Sequence, residues 1–467
     1  MNTDLNKMKR LSLGPRGAGR GARLFDEKKY KSKVDTKYDE QYVGSAGTEM
    51  SQIMVDNKLS YVIPSNVNVA TSATNKKQFF QRRDYGPGDT AVCILNTGSS
   101  YINCKNSYLT YTIEIPDVGG TFSFDWGVGS GVNVFREIKV QSRSGTELYR
   151  GERLNKYMAQ YVRYQHSKDW ILTIGKMAGI GVVYSATDVA IVARITIPIC
   201  MLGGFFEPLN DLLLPPQIAS GLRLELNIEN LNTAIRQLSG TPITSVEVKD
   251  IFFNLETVSM MDQQQLLLNK ASASDGLEYT FKRYFLSTNT YPSETSQKNL
   301  EVRKAVSQAT FAFCTFNDLT DENVITSDSM ASGPFDVKAF RYRIGSQYYP
   351  LDFVTDSTRS AALNVSESYF FALQSFAKTN NRDDVSSVEI FNTDPNVNTF
   401  STTMTVLAQS FERNQMLNLS GVPISNSRVL ELEIDQETSG ETQLQYNIFL
   451  EYLAICKAYL DNTVLKV

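Results

Sequence analysis

The sequence has little of several residue types on which active sites depend. It contains one histidine and two tryptophans among 467 residues. A Ser-His-Asp or Cys-His nucleophile needs a histidine. The single His166 ends a predicted helix, where the helix dipole favours a cation, so we interpret it as a capping residue. A metal site built from several histidines of one chain is excluded, and we expect no catalytic, metal or cofactor site.

Cysteines and long apolar runs are also scarce. The five cysteines form an odd set without a Cys-x-x-Cys pair, which predicts reduced thiols packed as small hydrophobic side chains in a cytosolic or nuclear setting. The longest apolar run near the middle of the chain, Ile195–Phe206, has 12 residues and contains Pro198, whereas a membrane-spanning helix needs about 20. The first residues lack the apolar segment of a signal peptide. We expect neither kind of segment.

Residues that favour strands are abundant. The chain has 25 Phe and 23 Tyr, and these alternate with Val, Ile and Thr in its periodic segments. Such side chains suit the half-buried surface of a sheet. Hydrophobic content of 42% and charged content of 21% are typical of a globular protein, and the length predicts two or three domains. We predict an all-β protein.

The sequence contains short segments that recur about 200 residues apart in the same order. Their offsets are 205, 209, 206 and 197 residues for four pairs: Phe135-Arg136 with Phe340-Arg341, Leu154-Asn155 with Leu363-Asn364, Leu224–Leu226 with Leu430–Leu432, and Ile251-Phe252 with Ile448-Phe449. Internal repeats of this kind indicate a duplicated architecture. The alternative is that any two strand-rich stretches look alike because both alternate apolar and polar residues.

Each half reads as about eight short strands with one helix near the middle. Helical spacing occurs at Glu152–His166 and again from about Ala361 to Ala377. Short strands at this density predict sandwiches, and a jelly roll is an eight-stranded sandwich. We therefore predict two tandem eight-stranded jelly rolls, each with an inserted helix. The predicted divisions are a basic arm, an N-terminal jelly roll, a connector and a C-terminal jelly roll, at residues 1–55, 56–259, 260–276 and 277–467.

Acidic side chains and a glycine-rich segment are further candidates for functional sites. Glu225 with Glu229, or Glu431 with Glu433, are candidates for the carboxylate pair of a glycosidase. Each pair is expected on one face of a predicted strand, where acidic residues of a solvated sheet face also lie, and we interpret them as such. The sequence has no calcium-binding loop of the Asp-x-Asp-x-Asp-Gly type; the acidic cluster that comes nearest to one is Asn317–Glu322, and we interpret it as a surface turn rather than a cation site. The glycine-rich segment is interpreted as a loop, because it lacks the Lys-Ser/Thr of a phosphate-binding loop and the helix onset of a dinucleotide fingerprint; it spans Gly127–Gly131.

Several segments together resemble a known family. They are Ile197–Phe206, Leu212–Pro216, Gly221–Leu226, Phe340–Pro350 and Val422–Arg428. With the duplicated plan, they resemble the double jelly-roll major capsid proteins of double-stranded DNA viruses, a group that includes adenovirus hexon, nucleocytoplasmic large DNA viruses, virophages and Polinton-like viruses. The compact length, without long loop insertions, is more similar to the virophage and Polinton-like members.

The resemblance implies a structural protein and not an enzyme. Three copies of a two-barrel chain would form a pseudo-hexagonal capsomer that tiles an icosahedral shell, with neighbouring capsomers, penton proteins and minor capsid proteins as partners. It also implies synthesis in the host cytoplasm, assembly in the cytoplasm or nucleus, and a place in the virion. Two alternatives stay open: a carbohydrate-binding or carbohydrate-processing β-sandwich protein, and a minor capsid or spike protein of the same virion.

The N-terminal arm is the one strongly basic segment. Residues 1–33 hold ten Lys/Arg and three Asp/Glu, a net charge of +7, while the whole chain carries −4. The candidate contact residues are Lys7, Lys9, Arg10, Arg16, Arg20 and Arg23. They suit phosphates bound without sequence reading, but the arm lacks the interleaved aromatic residues of a stacking platform. Nucleic acid, an inner capsid protein and an acidic inner membrane surface are therefore all candidate partners.

Overall fold

The structure is a computed structural model, and a single compact unit contains everything it describes. The described residues are 70–208, 212–274, 276–292, 297–320, 322, 324–333, 337–355, 367–380, 405–412, 421–436, 443–459 and 463–466. We call residues 70–260 the first half and residues 277–466 the second half.

The first half is a sandwich of two four-stranded antiparallel sheets with additions. Its strands β1 to β12 are Ala70–Phe79, Asp84–Tyr85, Thr90–Ile94, Tyr101–Ile115, Thr121–Asp125, Phe135–Gln141, Glu147–Glu152, Tyr184–Thr187, Ile191–Pro198, Arg223–Ile228, Arg236–Gly240 and Glu247–Met260. Sheet I has the order β1-β12-β4-β9, and sheet II has the order β3-β10-β6-β7. The short β2 pairs with β12, and β11-β5-β8 form a small third sheet.

The second half repeats this arrangement. Its strands β13 to β22 are Leu277–Pro292, Gln297–Val302, Val306–Asp318, Val337–Ile344, Gln347–Thr355, Leu407–Ser410, Val422–Ile424, Leu430–Gln436, Gln443–Ala458 and Thr463–Lys466. Sheet III has the order β13-β21-β15-β18, and sheet IV has the order β14-β20-β16-β17. The short β19 pairs with β15, and β22 pairs with β21.

The two halves share one strand order. When the eight strands of each pair of four-stranded sheets are ranked along the chain, sheets I and III both read first-eighth-third-sixth. Sheets II and IV both read second-seventh-fourth-fifth. In this order the first strand of each half lies beside the eighth, and the second lies beside the seventh. This pairing of early strands with late ones is the jelly-roll arrangement. The predicted fold class, two tandem eight-stranded jelly rolls, is confirmed.

The recurring segments occupy equivalent positions in the two sandwiches. In sheet II, Phe135 pairs with Ile228, and in sheet IV, Phe340 pairs with Ile434. The repeated Leu-Glu-Leu segments form strands β10 and β20, whose leucines are all fully buried while the residues between them are only partly covered. Apolar residues at every second position face one side of a strand, so the alternation in sequence places these leucines between the sheets.

The helices interrupt the strands at corresponding places. Helices α1 to α6 are Leu154–Gln165, Lys168–Trp170, Pro216–Ala219, Leu231–Ala234, Asp262–Ser274 and Glu367–Asn380. Helix α1 follows β7 and α6 follows β17, which are the fifth of the eight ranked strands in their halves, and α5 lies in the predicted connector. Leu363, the predicted counterpart of Leu154, falls outside the described residues. Within the described part of the chain, no helix has the length and apolarity to cross a membrane.

The cysteines pack as the sequence predicts. All five are free thiols, and Cys93, Cys104, Cys314 and Cys456 are buried while Cys200 is partly covered. Burial raises the pKa of the Cys93, Cys104 and Cys456 thiols to about 12. Such thiols stay protonated at neutral pH and behave as small apolar side chains.

Equivalent core positions predict similar losses of stability. Leu226 and Leu432 are both 0% exposed, so Leu226→Ala and Leu432→Ala should each lower the free energy of unfolding by about 2–5 kcal/mol. Leu351, which is 75% exposed, is the control, and Leu351→Ala should change stability by less than about 0.5 kcal/mol. Chemical denaturation measures all three. A small effect at either core leucine would contradict the equivalence.

Candidate functional site

Helix α1 is buried along its whole length. All twelve residues from Leu154 to Gln165 are buried, including polar and charged ones. The sequence predicts an amphipathic helix, which ordinarily leaves one face in water. Here the polar face is covered as well, because the second half of the chain packs against it.

An aromatic cluster joins α1 to the outer face of sheet III. The ring of Tyr157 stacks on Tyr284 at 4.1 Å between centroids. It also contacts Phe313 at 5.5 Å and Phe449 at 5.4 Å. Farther along the helix, Tyr164 stacks on Phe376 of α6 at 4.7 Å. Aromatic pairs at these distances stabilise beyond the burial of their area, so the contact fixes the position of one sandwich on the other.

Polar side chains of α1 also reach into the second half. Lys156 Nζ donates to Glu322 Oε1 at 2.8 Å, and Arg153, which precedes the helix, donates to the same oxygen at 3.2 Å. Gln160 Nε2 donates to the carbonyl oxygen of Met330 at 3.1 Å. Buried polar groups need such partners. The helix therefore fits only one orientation of the second half.

The ion pair at Glu322 shows what burial does to charges here. Burial lowers the pKa of Lys156 to about 8, against the opposing effect of Glu322. Burial also disfavours the Glu322 carboxylate, but Lys156 and Arg153 together hold the pKa of Glu322 below its ordinary value. The cluster stabilises one arrangement of the two halves, and the lowered pKa of Lys156 reflects how little water reaches its ammonium group.

Glu451 on β21 is a second buried acid in this contact. It is 1% exposed, and Tyr157 Oη donates to its Oε1 at 2.6 Å. Lys282 Nζ lies 4.0 Å from its other oxygen. Burial raises the pKa of Glu451, and Lys282 and Tyr157 only partly offset this. A carboxyl group in this setting holds its proton more firmly than one in water.

The glycine-rich segment is a loop that packs against the second half. The backbone N–H of Val128 donates to Asp328 Oδ2 at 2.7 Å, and Arg163 Nε of α1 donates to the Val128 carbonyl at 2.7 Å. Gly127 has a φ of 59°, and a Cβ there would lie 2.3 Å from the Asp328 carboxyl group. Glycine permits both the left-handed backbone and the close approach. Residues 127–130 form the predicted loop, whereas Gly131 begins a short 3-10 helix, Gly131–Val134.

The other sequence candidates lie in separate parts of the molecule. His166 caps α1, its backbone N–H donating to the Val162 carbonyl, and its ring stacks on Trp170 at 3.7 Å. The capping interpretation therefore agrees with the structure. Glu225 is half-buried and pairs with Arg223 at 2.7 Å. Glu229 is not on a solvated face: it is 8% exposed and accepts from Asn155. The strand ends at Ile228, so the alternation on which the interpretation depended does not reach Glu229.

The remaining acidic candidates also form structural contacts. Glu433 pairs with Arg341 at 2.6 Å and Glu431 pairs with Arg343 across sheet IV, as expected of a solvated sheet face. In the segment Asn317–Glu322, Asp318 accepts from the Thr320 N–H in a surface turn, but Glu322 belongs to the ion pair with α1. No group of His, Cys, Asp and Glu suited to a metal ion occurs among the residues that the structure describes.

The basic arm falls outside the described residues. Its six candidates are Lys7, Lys9, Arg10, Arg16, Arg20 and Arg23, all before residue 70. Their contact with nucleic acid, an inner capsid protein or a membrane stays a prediction.

Comparison with known proteins gives a match in structure alone. No protein-family model and no curated protein sequence matches the chain. A chain of the PBCV-1 virus capsid superposes on this chain with a TM-score of 0.60 at 11% identity, and the match covers 87% of this chain and 99% of the capsid chain. The Faustovirus major capsid protein gives 0.58 at 8% identity, covering 89% and 94%. The Sputnik virophage structure gives 0.54 at 9% identity, covering 87% and 91%.

This chain has the double jelly-roll fold of those capsid proteins. The match spans both sandwiches, because the coverage exceeds four fifths of the chain in each case. At 8–11% identity, the shared property is the arrangement of strands.

A methyl group at Gly127 should disturb the joint between the two jelly rolls. Gly127→Ala and Gly145→Ala both place a side chain at positive φ, but a Cβ at Gly145 meets open space. Gly145→Ala should therefore lower the free energy of unfolding by about 1–2 kcal/mol. Gly127→Ala should lower it by a further 1–3 kcal/mol or so, because the Asp328 carboxyl group must move. Equal losses in denaturant unfolding would contradict the close packing of this loop on the second half.

Glu451 should make stability depend on pH in a stated direction. Its pKa in the folded chain lies above the ordinary 4.5, so between these two values the folded state binds more protons than the unfolded state. Stability then falls as pH rises through that window. Glu451→Gln removes this titration, so the free energy of unfolding of the variant should increase relative to that of the wild type as pH rises from 4.5.

The measurement for Glu451 is unfolding at a series of pH values from 4.5 to 8. Glu225→Gln is the control, because Glu225 is half-buried and paired at a sheet surface; its difference from the wild type should stay within about 0.5 kcal/mol throughout. A Glu451→Gln variant that loses stability relative to the wild type as pH rises would show that the buried carboxylate is favourable.

Proposed function

We propose that this chain is a major capsid protein that assembles as a trimer into an icosahedral viral shell. The observation that carries the proposal is the fixed pairing of two jelly rolls with one strand order in one compact unit. Two similar barrels per chain give six in a trimer, and rotationally closed rings are the usual form of homo-oligomers. A ring of six similar barrels has a pseudo-hexagonal outline, which tiles a flat facet.

The function then resides in shape and contact surfaces and not in a reaction. The structures that match are capsid proteins, which supports a structural and non-enzymatic role in the virion. Neighbouring capsomers, penton proteins and minor capsid proteins are the partners that such a role requires. Fold alone does not determine function, so the proposal also depends on the joint at α1, which holds the barrels at one angle.

The carbohydrate alternative is not favoured. Sugar-binding sandwiches present aromatic faces to the ligand, and the chain has two tryptophans. Trp126 is 1% exposed, and Trp170 is covered on one face by His166. A minor capsid or spike role is separated from the major one by copy number, which a stained gel of purified particles measures directly.

Light scattering on the purified protein tests trimer formation. The mass should be three times the 52.3 kDa of one chain and should persist on dilution, because obligate interfaces are large and apolar. Electron microscopy of the same sample should show plates with threefold symmetry and a hexagonal outline. A monomeric mass across a wide concentration range, with no plates, would contradict the proposal.

We further propose that the arm makes a charged contact inside the particle. Residues 1–33 carry a net charge of +7, so deletion of this segment should leave the thermal stability of the trimer nearly unchanged and impair assembly or packing of the interior. Contacts of this kind weaken with salt, since screening acts over about 8 Å at physiological ionic strength. The check is the yield of filled particles at several salt concentrations. A truncated protein that fails to fold, or that packs particles normally in every buffer, would contradict this role.

A further inference from the structure

The joint inside the chain has an equivalent surface that no helix among the described residues covers. Within one chain, Tyr157 of α1 packs on Phe449 and Phe313 at the outer face of sheet III. The equivalent face in the first half is the outer face of sheet I. The halves share one strand order, so β12 in sheet I corresponds to β21 in sheet III.

Phe252 on β12 takes the place of Phe449 on β21. Phe252 pairs with Phe79 on β1 and with Thr110 on β4, just as Phe449 pairs with Leu286 on β13 and Phe313 on β15. Phe252 stays outside the core cluster that holds its neighbours Ile251 and Phe253, so its ring lies on the outer face.

This outer face carries exposed apolar groups beside positive charge. Phe79 on the edge strand β1 is 69% exposed and Val192 on the opposite edge strand β9 is 65% exposed, while Phe252 between them is 7% exposed. Lys77 Nζ lies 4.9 Å from the centroid of the Phe252 ring, and the Arg194 guanidinium lies 5.5 Å from it. We call Phe79, Phe252, Val192, Lys77 and Arg194 the sheet I patch. Exposed apolar side chains on one sheet face that are flanked by charge mark interaction surfaces.

Helix α6 offers the group that matches the sheet I patch. It occupies the same connection in the second half as α1 does in the first. Tyr157 lies in the first turn of α1, and Phe370 is an aromatic residue in the first described turn of α6. Phe370 is 57% exposed, and the acidic Glu367 on the same helix is exposed as well. An aromatic ring with a nearby acid complements an apolar patch flanked by Lys77 and Arg194.

We propose that α6 of one copy docks through Phe370 on the sheet I patch of a second copy of this chain. The contact repeats between chains the packing of α1 on sheet III within a chain, so it continues an interface that already exists. In the part of the chain that the structure describes, α6 presents the exposed Phe370 and sheet I presents the exposed Phe79. Three such head-to-tail contacts would alternate with three internal joints around a ring of six barrels. The inference rests on the proposed trimer and names its interface.

Thiol cross-linking tests the contact. The variant with Phe79→Cys and Phe370→Cys, treated with a short bis-maleimide, should give covalent dimers and trimers on a denaturing gel and nothing larger. Each single variant and the wild type, whose cysteines are buried apart from the partly covered Cys200, should stay monomeric on the gel. Val189→Cys combined with Phe370→Cys is the matched control, since Val189 is 57% exposed but lies outside the sheet I patch.

Dilution of serine variants provides a second readout. Phe79→Ser and Phe370→Ser should each raise the concentration at which the trimer dissociates about tenfold or more, as expected for buried aromatic anchors, while Val189→Ser leaves it unchanged. A trimer by light scattering with no specific cross-link, and with serine variants that dissociate like the wild type, overturns this interface and leaves the proposed function standing. A wild-type chain that is monomeric throughout overturns both.

Discussion

The packing of Tyr157 between the two sandwiches is the contact on which the rest of the structure depends. Its ring meets Tyr284, Phe313 and Phe449, and its hydroxyl donates to Glu451, so one side chain ties α1 to three strands of sheet III. The helix has no solvated face left. Two jelly rolls joined only by a connector would move relative to each other, whereas an interdigitated apolar joint with directed hydrogen bonds from Lys156 and Gln160 permits one arrangement.

That single arrangement is what an assembly unit needs. A chain that presents two similar barrels at a constant angle can act as one third of a ring, and small errors in the angle would accumulate over a facet. The polar part of the joint, Lys156 and Arg153 on Glu322, contributes specificity of orientation more than stability, because burial of the charges offsets much of their attraction. The apolar part supplies most of the stabilisation.

The sequence predicts the strands well and the joint poorly, and the reason is physical. The alternation of apolar and polar residues in Leu430–Leu432 and in Leu224–Leu226 depends only on a local property, namely that one face of each strand is buried. The strands and their duplication could therefore be predicted from residue spacing. The partners of Lys156 and Gln160 are Glu322 and Met330, which lie about 170 residues farther along the chain. No local pattern encodes such pairs. The prediction that Glu229 lies on a solvated sheet face is wrong for a related reason. Its strand ends one residue earlier, at Ile228, and the side chain turns inward to Asn155.

A cryo-electron microscopy reconstruction of the purified oligomer, at a resolution that separates strands, tests the central claim most directly. The account predicts six barrels in one ring, with alternating joints that contain α1 within a chain and α6 between chains. It also predicts that the angle between the two barrels of a chain is the same in all three copies. A reconstruction in which the two barrels of a chain lie at variable angles, or in which the ring does not contain six barrels, would contradict it.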